Sequence, residues 1–287
     1  MEFEDLQTFV EVARSGGVSA AARNLGVAKS IVSRRVLRLE DELSVQLLAR
    51  TTRGAALTEA GLILRDHASR VCSEIEAARE EMSPSGELRG LLRIAAPASF
   101  GPTHFAPVLA ELARKHPSLH VHTRYNDRYV DIVGEGFDCA IRVGYLPESD
   151  LVARRIGSFT VQLYASSDYV RERGAPKTPA DIDQHQAVMI GTETWKFSEG
   201  KKTTTVHPQG RFKADNALAI AEAIAMGIGI AALPAIIAES CPVADKLVPI
   251  MTRYTLPPVG IFVVRPPGRH LARKIRVLID LLVHKFG

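Results

Sequence analysis

Ser30-Ile31-Val32-Ser33-Arg34-Arg35-Val36-Leu37-Arg38-Leu39-Glu40 is the stretch of this 287-residue chain whose two faces decide its fold. At helical spacing Val32, Val36 and Leu39 share one apolar face, while Ser30, Ser33, Arg34 and Arg38 lie largely elsewhere. Upstream, Leu6, Phe9, Val10, Val12 and Ala13 form the stripe of an earlier helix that Ser15-Gly16-Gly17 stops. Ser19 stands where an N-cap would precede the Ala-rich segment Ala20 to Leu25, and Gly26 supplies a left-handed terminus. Two helices joined by a short Gly-containing turn, the second carrying hydroxyls and arginines, match a helix-turn-helix whose second helix enters the major groove. Arginine can bond a guanine edge through two donors, and serine reads base or phosphate. An αα-corner with a solvated basic face fits these residues equally well.

Downstream residues separate the two readings. Leu47-Leu48-Ala49-Arg50-Thr51-Thr52-Arg53-Gly54-Ala55-Ala56-Leu57-Thr58 reads as a β-hairpin with arginines at its tip, a wing able to reach phosphates or the minor groove. Thr58 then caps a new helix whose first residue, Glu59, suits the helix dipole. Lys29, Ser30, Ser33, Arg34, Arg35 and Arg38 of the second helix, with Arg50, Thr51 and Arg53 of the wing, are the candidate DNA contacts.

The ordered series Phe9, Ser19, Ala21-Ala22, Leu25, Val32-Ser33-Arg34, Leu39-Glu40, Leu47, Arg50-Thr51-Thr52-Arg53 and Leu57-Thr58-Glu59-Ala60-Gly61 resembles the N-terminal pattern of the LysR-type transcriptional regulators. Ala28 stands where that family commonly has a capping serine or threonine, and Ser44 where it commonly has glycine. The resemblance implies a bacterial regulator of transcription, not an enzyme. It would bind double-stranded promoter DNA through a winged helix-turn-helix and respond to a small-molecule effector. It also implies a homodimer, a homotetramer beyond it, and RNA polymerase as a further partner.

From Leu57 onward Gly61, Leu64, Ala68, Val71, Ile75, Ala78 and Met82 recur at alternating spacings of four and three, a coiled-coil seam. Leu64, Ala68, Val71, Ile75, Ala78 and Met82 are therefore the candidate dimerisation residues, against the alternative of an amphipathic helix lying on its own domain. Ser83-Pro84-Ser85-Gly86 has linker composition. This divides the chain into a DNA-binding domain over 1–58, a linker helix and hinge over 59–87, and an effector domain over 88–287.

In that last segment strands alternate with helices, which indicates a parallel α/β sheet. Leu91 to Ala96 is a strand, Phe105 to Lys115 a helix, and Leu119 to Tyr125 a second strand. A helix through Val130, Ile132 and Val133 and a third strand over Phe137 to Val143 follow. Val130-Asp131-Ile132-Val133 with Gly136 to Gly144 again resembles the family. Phe159 to Ala165 and Val259 to Val264 read as the two strands linking the lobes of a periplasmic-binding-protein-like fold. Lobe one would hold about 88–162 and 266–287, and lobe two about 163–265. Asp215-Asn216 cap an Ala-rich helix from Ala217 to Met226.

Strand C-termini and helix N-termini converge on the cleft between such lobes, where helix N-termini favour anions. Ser99, Phe100, Asp127, Gly144, Tyr145, Thr192 and Asn216 are the candidate effector contacts by position, each with a capping or packing role as the alternative. Arg142 could grip a carboxylate or pair structurally near Asp138.

The remaining composition narrows the class. The formal charge is +4, and 46% of residues are apolar. The charge permits nucleic-acid contact without requiring it. Apolar runs are too short to span a membrane, and the acidic start, Met1 to Asp5, is unlike a secretion signal, which suggests a cytoplasmic protein. Cys72, Cys139 and Cys241 show no C-x-x-C spacing, and His120 with His122 lacks a third ligand, so neither a metal nor a cofactor is expected. No nucleophile elbow, phosphate loop or dinucleotide fingerprint occurs.

Overall fold

The computed structural model describes residues 1–51, 54–81, 87–191, 193–267 and 271–287. Three helices open the chain: α1 (Phe3–Ser15), α2 (Val18–Leu25) and α3 (Lys29–Leu43). Gly16 and Gly26 end the first two in left-handed geometry, which glycine adopts without steric cost. Helix α2 starts earlier than its sequence suggests. Gly17 is its N-cap, and Ser19 lies within the first turn and caps nothing. Leu6, Phe9 and Val10 bury against Leu39, Leu47 and Ala68, and Val12 against Ala21, Ala22, Val32 and Val36. The apolar face predicted for α3 is therefore the one that is buried.

Both ends of α3 carry the departures noted in the sequence. Ala28 offers no side-chain cap, and Ser44 closes the helix at φ 54°. A side chain in left-handed geometry costs about 1–2 kcal/mol. Ser44→Gly should therefore stabilise the N-terminal unit by about 1 kcal/mol, read as a rise in its thermal unfolding midpoint with DNA affinity preserved.

Strands β1 (Leu48–Thr51) and β2 (Gly54–Leu57) pair antiparallel with Thr51 opposite Gly54, forming the expected hairpin. The Glu40 carboxylate accepts from the Leu47 and Leu48 amides at 2.7 and 3.0 Å, tying the hairpin to α3. Thr58 caps α4 (Glu59–Glu81) by accepting from the Gly61 amide at 3.0 Å, while its hydroxyl donates to the Gln46 carbonyl at 2.6 Å.

Helix α4 places the first part of the expected seam against its own domain. Ala68 is buried, and Leu64 packs beside it, in the cluster formed with α1, so both face their own domain. Ile75 is half-buried and Ala78 exposed, whereas Met82 lies outside the described residues. Among the described residues the exposed large apolar side chains of α4 are Leu62, Ile63 and Val71.

The C-terminal part begins with β3 (Gly90–Ala96), a π-turn over Gly101–Phe105 and α5 (Ala106–Lys115). Strands β4 (Leu119–Tyr125), β5 (Cys139–Val143) and β6 (Val152–Phe159) follow. The helix expected through Val130 is instead one hydrogen-bonded turn, with Glu135 N–H on Asp131 O at 2.8 Å and Phe137 N–H on Ile132 O at 2.8 Å. Gly134 and Gly136 leave too few residues for propagation past the costly first turn.

Lobe two contains β7 (Val161–Ser166), α6 (Ser167–Arg173), β8 (Val188–Met189), β9 (Trp195–Glu199), β10 (Lys202–Val206) and β11 (Phe212–Lys213). It continues with α7 (Ala217–Ala225), β12 (Ala231–Pro234), α8 (Ala235–Ser240) and β13 (Leu247–Ile250). The chain returns through β14 (Val259–Arg265) and ends with α9 (Arg273–Phe286).

Lobe one is a five-stranded sheet ordered β4-β3-β5-β14-β6, parallel across β4, β3 and β5, with β14 antiparallel to its neighbours. Strand β14 therefore belongs to lobe one, and the expected boundary after residue 265 moves back to Val259. The single linking strand expected over Phe159 to Ala165 is split at Thr160, with β6 in one lobe and β7 in the other. In lobe two β12, β7 and β13 form an antiparallel sheet, to which the Ala187–Ile230 bridge joins β8. One large buried cluster runs from Leu92 and Ile94 through Phe100 and Phe159 to Ala217, Ile220 and Ile224, so the lobes share apolar contact. Among the described residues no helix is long and apolar enough to cross a membrane.

Candidate functional sites: an exposed basic helix and an interlobe contact

The first site is the outer face of α3. Lys29, Ser30 and Arg34 are exposed and Ser33 is half-buried. Neither Lys29 nor Arg34 has a carboxylate partner among the described residues. Two sequence candidates are engaged elsewhere. Arg35 pairs with Glu4 and donates to Thr8 Oγ1 at 3.2 Å, filling the angle between α1 and α3. Arg38 lies 3.4 Å from Asp5, whose side chain is only 1% exposed. A buried carboxylate needs a compensating cation, so these arginines first hold α3 against α1. Arg50 and Thr51 lie on β1 with side chains outside the described residues, as does Arg53 entirely.

The second site lies where the lobes meet. Ser99 follows β3, Asp127 follows β4, and Asn216 opens α7. The Ser99 amide and hydroxyl donate to Asp127 Oδ1 and Oδ2, each at 3.3 Å. Asn216 Nδ2 donates to Asp127 Oδ2 at 2.7 Å, and the Ala217 amide donates to Ser99 Oγ at 2.9 Å. Asn216 Oδ1 also accepts from the Leu218 and Ala219 amides at 3.0 and 3.1 Å. Three residues picked from three separate turns thus form one network across the lobes. In this arrangement the first N–H groups of α7 are already satisfied, by Ser99 Oγ and Asn216 Oδ1. An anion at that helix end would have to displace them.

The other candidates are placed differently. Phe100 is buried and stacked on Phe159 with centroids 5.3 Å apart, a packing role. Gly144 has φ 116°, and its amide donates to the Gly260 carbonyl, which makes it a strand-end turn. Tyr145 is 80% exposed, and its carbonyl accepts from the Tyr129 hydroxyl at 3.0 Å. Thr192 lies outside the described residues. Arg142 is buried under Tyr129, 4.9 Å from the ring centroid, and donates to the Arg128 carbonyl at 3.0 Å. The suggested pairing near Asp138 is not formed: Asp138 accepts from the Arg93 amide and faces Lys274 at 3.7 Å.

Sequence reasoning missed a second polar link between the lobes. His104 Nε2 lies 3.2 Å from Ser240 Oγ, and the Ser240 hydroxyl donates to the Ile236 carbonyl at 2.6 Å. No motif marks His104. Only the Pro102 break before α5 could have drawn attention to that segment.

Burial holds the His104 imidazole below its ordinary pKa. The unfolded chain therefore takes up the proton first, so the stabilisation is complete above about pH 6.5 and fades as pH falls through the folded value. Acidification from pH 7.5 to 5.5 should lower the thermal midpoint of the C-terminal part. His104→Gln should flatten the decline in part, leaving the share due to His185, which burial shifts the same way.

Cavities of about 220 and 170 Å³ lie elsewhere in lobe two, one beside Glu193, His207 and Lys213, the other beside Ser166, Asp168 and Lys246. Both are smaller than the roughly 300 Å³ at which small-molecule sites begin, so neither displaces the interlobe network as the candidate.

A helix-turn-helix with a wing, a long helix and a two-lobed α/β unit define a regulator that joins DNA binding to an effector domain. Residues 3–62 match the bacterial regulatory helix-turn-helix protein model of the lysR family, and residues 85–287 match the LysR substrate binding domain. The chain belongs to the LysR family of bacterial transcription regulators. It is 32% identical to the HTH-type transcriptional regulator PtxR of Pseudomonas aeruginosa, over all of this chain and 94% of that protein. It is also 32% identical to an HTH-type transcriptional regulator of Xanthomonas campestris pv. campestris, over all of this chain and 86% of the relative. Among solved structures, CrgA of Neisseria meningitidis, a LysR-type transcriptional regulator, has a TM-score of 0.61 at 28% identity, covering 100% of this chain and 99% of that one. The full-length virulence activator AphB of Vibrio cholerae has a TM-score of 0.57 at 25% identity, with 99% of each chain covered.

Proposed function

We propose that this LysR-family regulator reads promoter DNA with the exposed face of α3 and is switched by a small molecule acting on the Ser99–Asp127–Asn216 network. Lys29, Ser30 and Arg34 contact the DNA, helped by Arg50, Thr51 and Arg53 of the wing, while Arg35 and Arg38 position the helix. The division into 1–58, 59–87 and 88–287 assigns these tasks to separate units. Val71 continues the Leu64–Ala68 stripe along α4 past the domain's own core, and with Ile75 and Ala78 it gives the surface for pairing two chains, so that two winged domains meet two half-sites. A tetramer and contact with RNA polymerase extend the same arrangement.

The observation that carries the effector reading is that Asp127 accepts hydrogen bonds from both sides of the interlobe boundary. A ligand with matching donors and acceptors can replace those bonds and change how the lobes sit, and a ligand shifts an equilibrium only by its differential affinity for the two states. A thermal-shift screen of small metabolites on the full chain tests this, because a ligand of the native state raises its apparent stability. Compounds that stabilise the wild type should lose most of that shift in both Ser99→Ala and Asn216→Ala. Stabilising compounds whose shift both variants retain would place the effector elsewhere.

A further inference from the structure

We infer that α3 selects thymine through two exposed aliphatic side chains, Ile31 and Leu37, that flank Arg34. The inference rests on α3 being the helix that meets DNA. Ile31, Arg34 and Leu37 stand at i, i+3 and i+6, along one ridge of the helix surface. Ile31 is 37% and Leu37 57% exposed, whereas Val32, Val36 and Leu39 are buried in the domain's own core. The ridge thus runs apolar, cationic, apolar, with Ser30 and Lys29 beside its N-terminal end.

Single apolar side chains on a surface need no explanation. Two of them on either side of an arginine with no carboxylate partner among the described residues, on the face of a helix-turn-helix that is left open, have a chemical complement. The major-groove edge of a thymine carries a C5-methyl group, the one apolar feature in that groove, and aliphatic side chains contact it. Arg34, between them, reaches the O6 and N7 acceptors of a guanine. The ridge therefore fits a half-site in which a guanine has thymines close by. A polar residue in place of Ile31 or Leu37 would read hydrogen-bonding groups instead.

Replacing thymine by deoxyuridine removes only the methyl group, so it isolates this contact from hydrogen bonding and charge. The full chain is tested on a duplex enriched from random DNA, with each thymine of one half-site replaced in turn, beside Ile31→Ala, Leu37→Ala and Arg34→Ala. At one or two thymines wild-type affinity should fall about fourfold, the worth of one buried methyl-sized group. The matching alanine variant should show no further loss there, while its thermal midpoint stays at the wild-type value. If no thymine responds to loss of its methyl, or if the wild type and both alanine variants lose affinity alike, the inference is overturned. Failure of Arg34→Ala to weaken specific binding would overturn the underlying assignment of α3 itself, a separate result from a missing methyl effect.

Discussion

Arg34→Ala should weaken binding to the selected operator by about 1–3 kcal/mol for each half-site, or roughly fivefold to 150-fold. Affinity for unrelated duplexes should change far less. The residue is exposed, carries no carboxylate partner among the described residues, and sits mid-ridge on the open face of α3. Arg35 and Arg38 should behave differently. Arg38→Ala leaves the buried Asp5 carboxylate uncompensated, so its first effect is on unfolding, and its effect on DNA binding follows from misplacement of the helix. Competition fluorescence anisotropy with operator and random duplexes, paired with thermal unfolding, separates the two kinds of arginine. Equal weakening of Arg34→Ala on every sequence would make it a phosphate contact.

Gly61→Ala should cost about 3 kcal/mol or more, at or beyond the usual upper range for overpacking. A Cβ at this position would lie 2.2 Å from the Leu47 carbonyl oxygen, and neither the helix nor the backbone entering the wing can move aside cheaply. The same carbonyl accepts from the Thr58 amide at 3.0 Å, so a shift there loosens the junction of wing and α4. Denaturant unfolding followed by far-ultraviolet circular dichroism should show the loss in the N-terminal unit, together with weakened DNA binding. Wild-type stability for Gly61→Ala would mean that the close approach of α4 to the wing does not constrain the domain.

The N-terminal domain was legible because its sequence signals are local. Val32, Val36 and Leu39 share a helical period, Gly26 and Thr58 are terminators with a steric or hydrogen-bonding reason, and Leu57 to Gly61 is a hairpin end running into a capped helix. What periodicity could not give was the destination of each face. Leu64 and Ala68 fit a heptad, but they also fit a stripe that folds back on α1, and a repeat of fours and threes is common to both. Arg35 and Arg38 are indistinguishable from Arg34 by composition. Only the acidic residues of α1, Glu4 and Asp5, some thirty positions away, separate them.

In the C-terminal part the candidate site was legible by topology. Turns after parallel strands and the N-terminus of α7 must meet near the switch between lobes, and Ser99, Asp127 and Asn216 do. Of the others chosen by the same rule, Phe100 neighbours the site but turns into the core, and Tyr145 turns to solvent. The turn at Asp131 to Gly136 was misread as a helix because three apolar residues imitate a helical face over less than one turn. The split at Thr160 was hidden because β6 and β7 run on through a single uninterrupted stretch with no glycine or proline at the crossing.

The claim that this chain reads a specific promoter sequence is tested most directly by exposing the full chain to a pool of random-sequence duplexes, recovering the bound fraction and sequencing it. The expected result is convergence on a single motif arranged as an inverted repeat, with recovery that falls steeply as salt is raised, because released counterions accompany each phosphate contact. A pool that stays random after repeated rounds would contradict it.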